Sequence, residues 1–125
     1  MSVKKILIID DDEDLLFVLE ERLTLEGYDV VSEVNGVKAI AMAKTQQPDL
    51  IILDVQMPIM EGGEVARRLK ADPATQNIPI LYLTCLLSNE ESAQMKHDCG
   101  GSLMLSKSID AKELISVIKN MVLKG

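Results

Sequence analysis

The sequence predicts an α/β fold: a single-domain, doubly wound sheet of five parallel strands with five helices on its two sides. Three observations predict it. Short apolar runs recur along the chain, stretches with helical apolar spacing lie between them, and acids or hydroxyls stand where the runs end. Runs that are apolar throughout suit strands buried on both faces, as a parallel sheet requires.

The strands are expected at Ile6–Ile9, Tyr28–Val34, Leu50–Leu53, Ile80–Leu83 and Leu103–Leu105. Tyr28–Val34 alternates apolar and polar residues more than the others, which places it at a sheet edge. Helical stripes run through Leu15, Leu16, Leu19 and Leu23, and through Leu114, Val117, Ile118 and Met121. Ser88-Asn-Glu-Glu91 and Asp110-Ala-Lys-Glu113 have the spacing of a capping box or its Asp variant. Gly27 and Gly100 sit where C-terminal caps belong, and Pro48 closes the second helical stretch.

The bulk properties narrow the function. The 125 residues have the size of one domain, and the 47% of hydrophobic residues is enough for a core. A formal net charge of −7 argues against phosphate-tracking nucleic-acid binding and against docking on an anionic membrane. With Phe17, Tyr28 and Tyr82 as its only aromatics, the chain has no stacking platform for bases. No apolar run reaches the length of a membrane span, and Ile6–Ile9 is too short for the core of a signal peptide. Cys85 and Cys99 form no CxxC pair and read as free thiols. His97 lies in a polar stretch without metal-ligand spacing and reads as a surface residue. The seven methionines read as core filler. The expected compartment is the cytoplasm.

The strand ends carry the chemistry. The first run leads into Asp10, Asp11, Asp12, Glu13 and Asp14, with no base among them. Crowded carboxylates resist ionising together, so such a run needs water or a positive partner. The third run ends in Asp54, the fourth in Thr84, and the fifth in Ser106 and Lys107. Ligands of open parallel sheets bind at the carboxyl ends of the strands, near the switch in strand order. If the first and third strands adjoin there, Asp10, Asp11 and Asp54 share one crevice. Their hard oxygens suit a divalent cation, above all Mg²⁺. The remaining acids belong at the start of the first helix, where its dipole favours them. Lys107 would offset the carboxylates and could hold a phosphoryl oxygen.

The acidic pair after ILII, the stretch LDVQMPIMEG, the LT of YLTC and the late Lys107 together resemble the receiver domain of two-component response regulators. The resemblance covers essentially the whole chain, read as one domain over residues 1–125. Its most specific piece is the D-x-x-M-P-x-M-x-G pattern from Asp54 to Gly62.

The resemblance implies a flavodoxin-like sheet in the order 2-1-3-4-5. It implies that Asp54 accepts a phosphoryl group from a phosphohistidine on a sensor histidine kinase or a histidine phosphotransfer protein. Mg²⁺ would be held by Asp11, Asp54 and the backbone carbonyl of Gln56, with Asp10 acting mainly through a water on the metal. Lys107 and Thr84 would assist the transfer. Movement of Thr84 would bias the face made by the last two helices and the fifth strand toward a downstream protein target or output domain. The same face is a candidate surface for phosphorylation-linked homodimerisation. No further cofactor and no direct nucleic-acid or membrane partner is implied. The only catalysis expected is the domain's own phosphorylation and dephosphorylation.

Three positions depart from the family pattern. Ser108 follows Lys107 where proline is usual; a cis bond before a non-proline residue costs roughly 2.5–4 kcal/mol, so a trans bond is expected. Met104 stands where an aromatic residue is frequent, which softens the expected switch. Leu86 cannot orient a hydrolytic water, so a long-lived phosphoryl group is expected. Two rivals remain at this point. An aspartyl-nucleophile phosphatase would place a second Asp two residues after the first, where this chain has Gln56. A degenerate receiver would dock partners without phosphorylation.

Overall fold

A computed structural model describes residues 3–54, 62–84, 102–106 and 110–124. Nine elements follow one another: β1 (Lys5–Ile9), α1 (Glu13–Leu25), β2 (Asp29–Glu33), α2 (Gly36–Gln46), β3 (Leu50–Asp54), α3 (Gly62–Ala71), β4 (Ile80–Thr84), β5 (Ser102–Ser106) and a C-terminal helix, α4 (Ala111–Lys124). The five strands form one sheet in the order β2-β1-β3-β4-β5, and every neighbouring pair is parallel. Strand number, order and direction match the sequence expectation. Of the five expected helices, the one opening at Ser88 lies outside the described residues, as does Gly100.

The central strands alternate between two cores. Ile6 and Ile8 of β1, Leu50 and Ile52 of β3, and Leu81 and Leu83 of β4 face α1 and α4. Leu7 and Ile9, Ile51 and Leu53, and Ile80 face α2 and α3. Side chains on a strand alternate between faces, so a run apolar at every position fills both cores at once. β2 is only partly buried along its length, as an edge strand should be. Leu16, Leu19 and Leu23 of the first stripe are buried, with Leu15 packed at their margin. Leu114 and Ile118 do the same for α4, flanked by Val117 and Met121.

The turns explain how the elements begin and end. α1 closes at Glu26, and Gly27 follows at φ +95°, a conformation glycine adopts without steric cost. The N–H of Gly27 donates to the carbonyl of Thr24 at 3.0 Å, and that of Tyr28 to Leu23 at 3.1 Å. This pair of bonds is the Schellman arrangement, and Tyr28 packs against the core beside it. Tyr28 is thereby spent on the turn, so β2 begins at Asp29, one residue later than expected.

α2 ends differently. Gln47 takes a left-handed conformation at φ 48° without being glycine. Its side-chain amide donates to the carbonyl of Lys44 at 3.0 Å and to that of Ala74, past the end of α3, also at 3.0 Å. Those bonds offset the strain, and buried Pro48 then ends the helix as expected. Asp110 precedes α4, and its carbonyl accepts the N–H of Leu114 at 2.9 Å.

Candidate functional site

The pairing of β1 with β3 sets Ile9 beside Leu53. Asp10 follows the one and Asp54 the other, so the two carboxylates emerge side by side at the carboxyl ends of adjoining strands. Asp10 and Asp54 are 1% and 3% exposed, while Asp11 faces solvent. One carboxylate oxygen from each of the three lies within 4.8 Å of the others. Asp54 pairs in register with Leu83 of β4, and Thr84 ends that strand one residue further on.

Backbone bonds hold this corner in place. The N–H of Asp10 donates to the carbonyl of Glu33 at the end of β2, at 3.2 Å. The Oδ1 of Asp10 accepts the N–H of Asp12 at 3.0 Å. Asp12 is itself the N-cap of α1: its Oδ1 accepts the N–H of Asp14 at 3.1 Å and that of Leu15 at 3.2 Å. Glu13 and Asp14 fill the first turn. Each of those bonds satisfies a backbone donor that the helix cannot pair, and the positive end of the helix dipole favours the acids around it.

The five consecutive acids therefore divide by position. Asp10 and Asp11 join Asp54, and Asp12, Glu13 and Asp14 open a helix. Three carboxylates this close repel one another, and two of them are shielded from water. A compact, hard cation with a taste for oxygen fits that donor set. Mg²⁺ is bound through one or two carboxylates with open positions left for other oxygens, and this site offers a partly open rim at Asp11.

The geometry brings together three of the residues singled out from the sequence. The backbone of Thr84 stands at the same rim of the sheet, and its side chain lies outside the described set. Gln56, Lys107 and Ser108 are outside it too, as are Cys85, Leu86, His97 and Cys99; the expected trans Lys107–Ser108 bond falls there. Met104 lies in β5 opposite Tyr82. Among the described residues, sequence reasoning missed Glu33. Its carboxylate turns onto the N–H groups of Val34 and Asn35 at 3.0 and 3.1 Å, shaping the turn whose carbonyl holds Asp10. A backbone acceptor leaves no signature in residue types, so no motif could have pointed to it.

Glu64, in the first turn of α3, is an acid of another kind. It accepts from Arg67 Nε at 2.9 Å and from Arg68 Nε at 3.2 Å. The hydrogen bonds from Arg67 and then Arg68 hold its pKa down at about 2.

Comparison with known proteins identifies the family. The model of the response regulator receiver domain matches residues 6–119. The chain belongs to that family. It is 39% identical over 117 residues to response regulator PleD of Caulobacter vibrioides, covering 94% of this chain and 26% of that protein. It is 37% identical over 118 residues to the DNA-binding dual master transcriptional regulator RpaA of Synechocystis, covering 94% of this chain and 48% of that one. The chain thus spans between a quarter and a half of the length of these curated relatives.

Among solved structures, a response regulator from Chloroflexus aurantiacus superposes with a TM-score of 0.83 at 28% identity, covering 98% of this chain and 99% of that one. The chemotaxis protein CheY4 of Vibrio cholerae superposes with a TM-score of 0.81 at 28% identity, covering 96% and 99%. The fold is therefore the flavodoxin-like α/β fold of CheY-like proteins. Among the described residues, no helix is long and apolar enough to cross a membrane.

Proposed function

We propose that residues 1–125 form one receiver domain that accepts a phosphoryl group on Asp54 in a Mg²⁺-dependent reaction. The observation that supports this is the convergence of Asp10, Asp11 and Asp54 at the ends of adjoining strands. Asp54 is the nucleophile: a carboxylate oxygen forms the bond to phosphorus as the bond to the donor's histidine nitrogen breaks. Asp11, Asp54 and the backbone carbonyl of Gln56 would hold the metal, with Asp10 acting mainly through a water on it. When bound, Mg²⁺ offsets the carboxylates' repulsion and the charge on the phosphoryl oxygens. Lys107 holds a phosphoryl oxygen as a point charge. Thr84 donates its hydroxyl to the transferred group.

The donor is a phosphohistidine on a sensor histidine kinase or a histidine phosphotransfer protein, in the cytoplasm. Thr84 then biases the face of β5 and the C-terminal helices toward a protein target or output domain, a switch thrown by local charge. The domain acts as a signalling module and turns over nothing but its own phosphoryl group. Exposure to acetyl phosphate with Mg²⁺, followed by mass spectrometry, tests the reading. One phosphoryl group per native chain is expected, none without Mg²⁺, and none on Asp54→Ala. Incorporation on Asp54→Ala, or none on the native chain, overturns it.

A further inference from the structure

Asp12 sits outside the three-carboxylate cluster, faces solvent, and still touches the cluster through its backbone. Its N–H donates to Asp10 Oδ1 at 3.0 Å. Its side chain meanwhile caps α1 by accepting from Asp14 and Leu15, which holds Asp12 extended at φ −89° and ψ 99°. The direction of the Asp12 N–H depends on that φ. The cap and the orientation of Asp10 are thus one mechanical unit. The other side of Asp10 is fixed by its own N–H on the Glu33 carbonyl.

We infer that Asp12 is a positioning residue for the metal site, acting through its N-cap bonds rather than through its charge. The inference rests on the proposed reading of the cluster as a Mg²⁺ site. Partners that orient metal-site carboxylates typically change affinity by about 10–100-fold, and an indirect one belongs at the low end of that range. The charge and the cap can be separated, because Asn and Ser cap helices nearly as well as Asp without its charge.

The structure also supplies a matched control. Asn35 caps α2 by the same pattern, accepting from Val37 at 2.9 Å and Lys38 at 3.1 Å, and its own N–H donates to the Glu33 carboxylate at 3.1 Å rather than to the three clustered acids. The experiment is calorimetric titration of Mg²⁺ at constant ionic strength into the native chain, Asp12→Ala, Asp12→Asn, Asp12→Ser and Asn35→Ala. Asp12→Ala should bind about tenfold more weakly. Asp12→Asn and Asp12→Ser should stay within about twofold of native. Asn35→Ala should bind as native does, while melting earlier by an amount similar to Asp12→Ala. Native affinity in Asp12→Ala overturns the inference. So does an equal loss in Asp12→Asn, which makes the effect one of charge, or in Asn35→Ala, which makes it one of general stability. A native chain that binds no Mg²⁺ removes the reading of the site itself, and the positioning role with it.

Discussion

The two ends of β1 make opposite use of charge. At its start, Lys5 is surrounded by complementary groups: its Nζ donates to Gln46 Oε1 at 2.7 Å and lies 3.8 Å from Asp29 Oδ2. Its N–H donates to Asp49 Oδ2 at 2.8 Å. At its far end, Asp10 and Asp11 meet Asp54, and three like charges share one corner. Both ends rest on the same apolar stretch, Ile6–Ile9, buried on both faces. The amino end is arranged to favour folding. The carboxyl end gathers three acids into a donor set that a cation would suit.

The largest effect should come from the stretch that both ends share. Ile8→Ala deletes a side chain buried in the α1/α4 core and should cost about 2–5 kcal/mol in chemical denaturation. A cost below 1 kcal/mol would mean that neither end leans on the strand between them.

Next in size is Asp11→Ala, which removes a charge from the rim. It should weaken Mg²⁺ binding by roughly tenfold or more, while without metal the variant should melt no lower than the native chain, because one of the three like charges is gone. Undiminished binding in a Mg²⁺ titration would place the cation elsewhere.

The sharpest test of the contrast is a pair of substitutions with opposite signs. Asp10→Asn relieves like-charge repulsion and keeps an acceptor for the Asp12 N–H. In metal-free buffer it should stabilise the fold by about 1 kcal/mol. Asp49→Ala removes the acceptor of the Lys5 N–H and should destabilise by a similar amount, about 1 kcal/mol. Urea denaturation of both variants decides; equal signs would erase the distinction between the two ends.

The smallest effect belongs to Glu64, an acid compensated within its own helix. Its folded pKa of about 2 lies below the ordinary 4.5, so its contribution to stability is present above pH 4.5 and fades as pH falls toward 2. Native protein and Glu64→Gln should therefore differ slightly at neutral pH and converge in acid. The group is exposed, so high salt should shrink the gap as well. A gap that widens in acid contradicts the assignment of the shift to Arg67 and Arg68.

Much of this could be read in advance, for physical reasons. A buried parallel strand needs apolar residues at every position, so Ile6–Ile9 and Leu50–Leu53 announce themselves. An acid directly after such a run must lie at a sheet end, which made Asp10 and Asp54 visible together. Other features are invisible in residue types. Gln47 occupies a left-handed helix end that usually marks glycine, because its amide finds the carbonyl of Ala74 across the fold. Tyr28 reads as strand but serves a turn, because Gly27 lets the chain close on Leu23. Glu33 supports Asp10 with a carbonyl that every residue possesses.

The adjacency of β1 and β3 has a consequence for biosynthesis. The opening acids leave the ribosome long before Asp54, and β2 and α2 must be translated between them. A growing chain that ends short of the third strand has no third carboxylate to complete the cluster. The cluster is therefore completed late, when the middle strand pairs with the first.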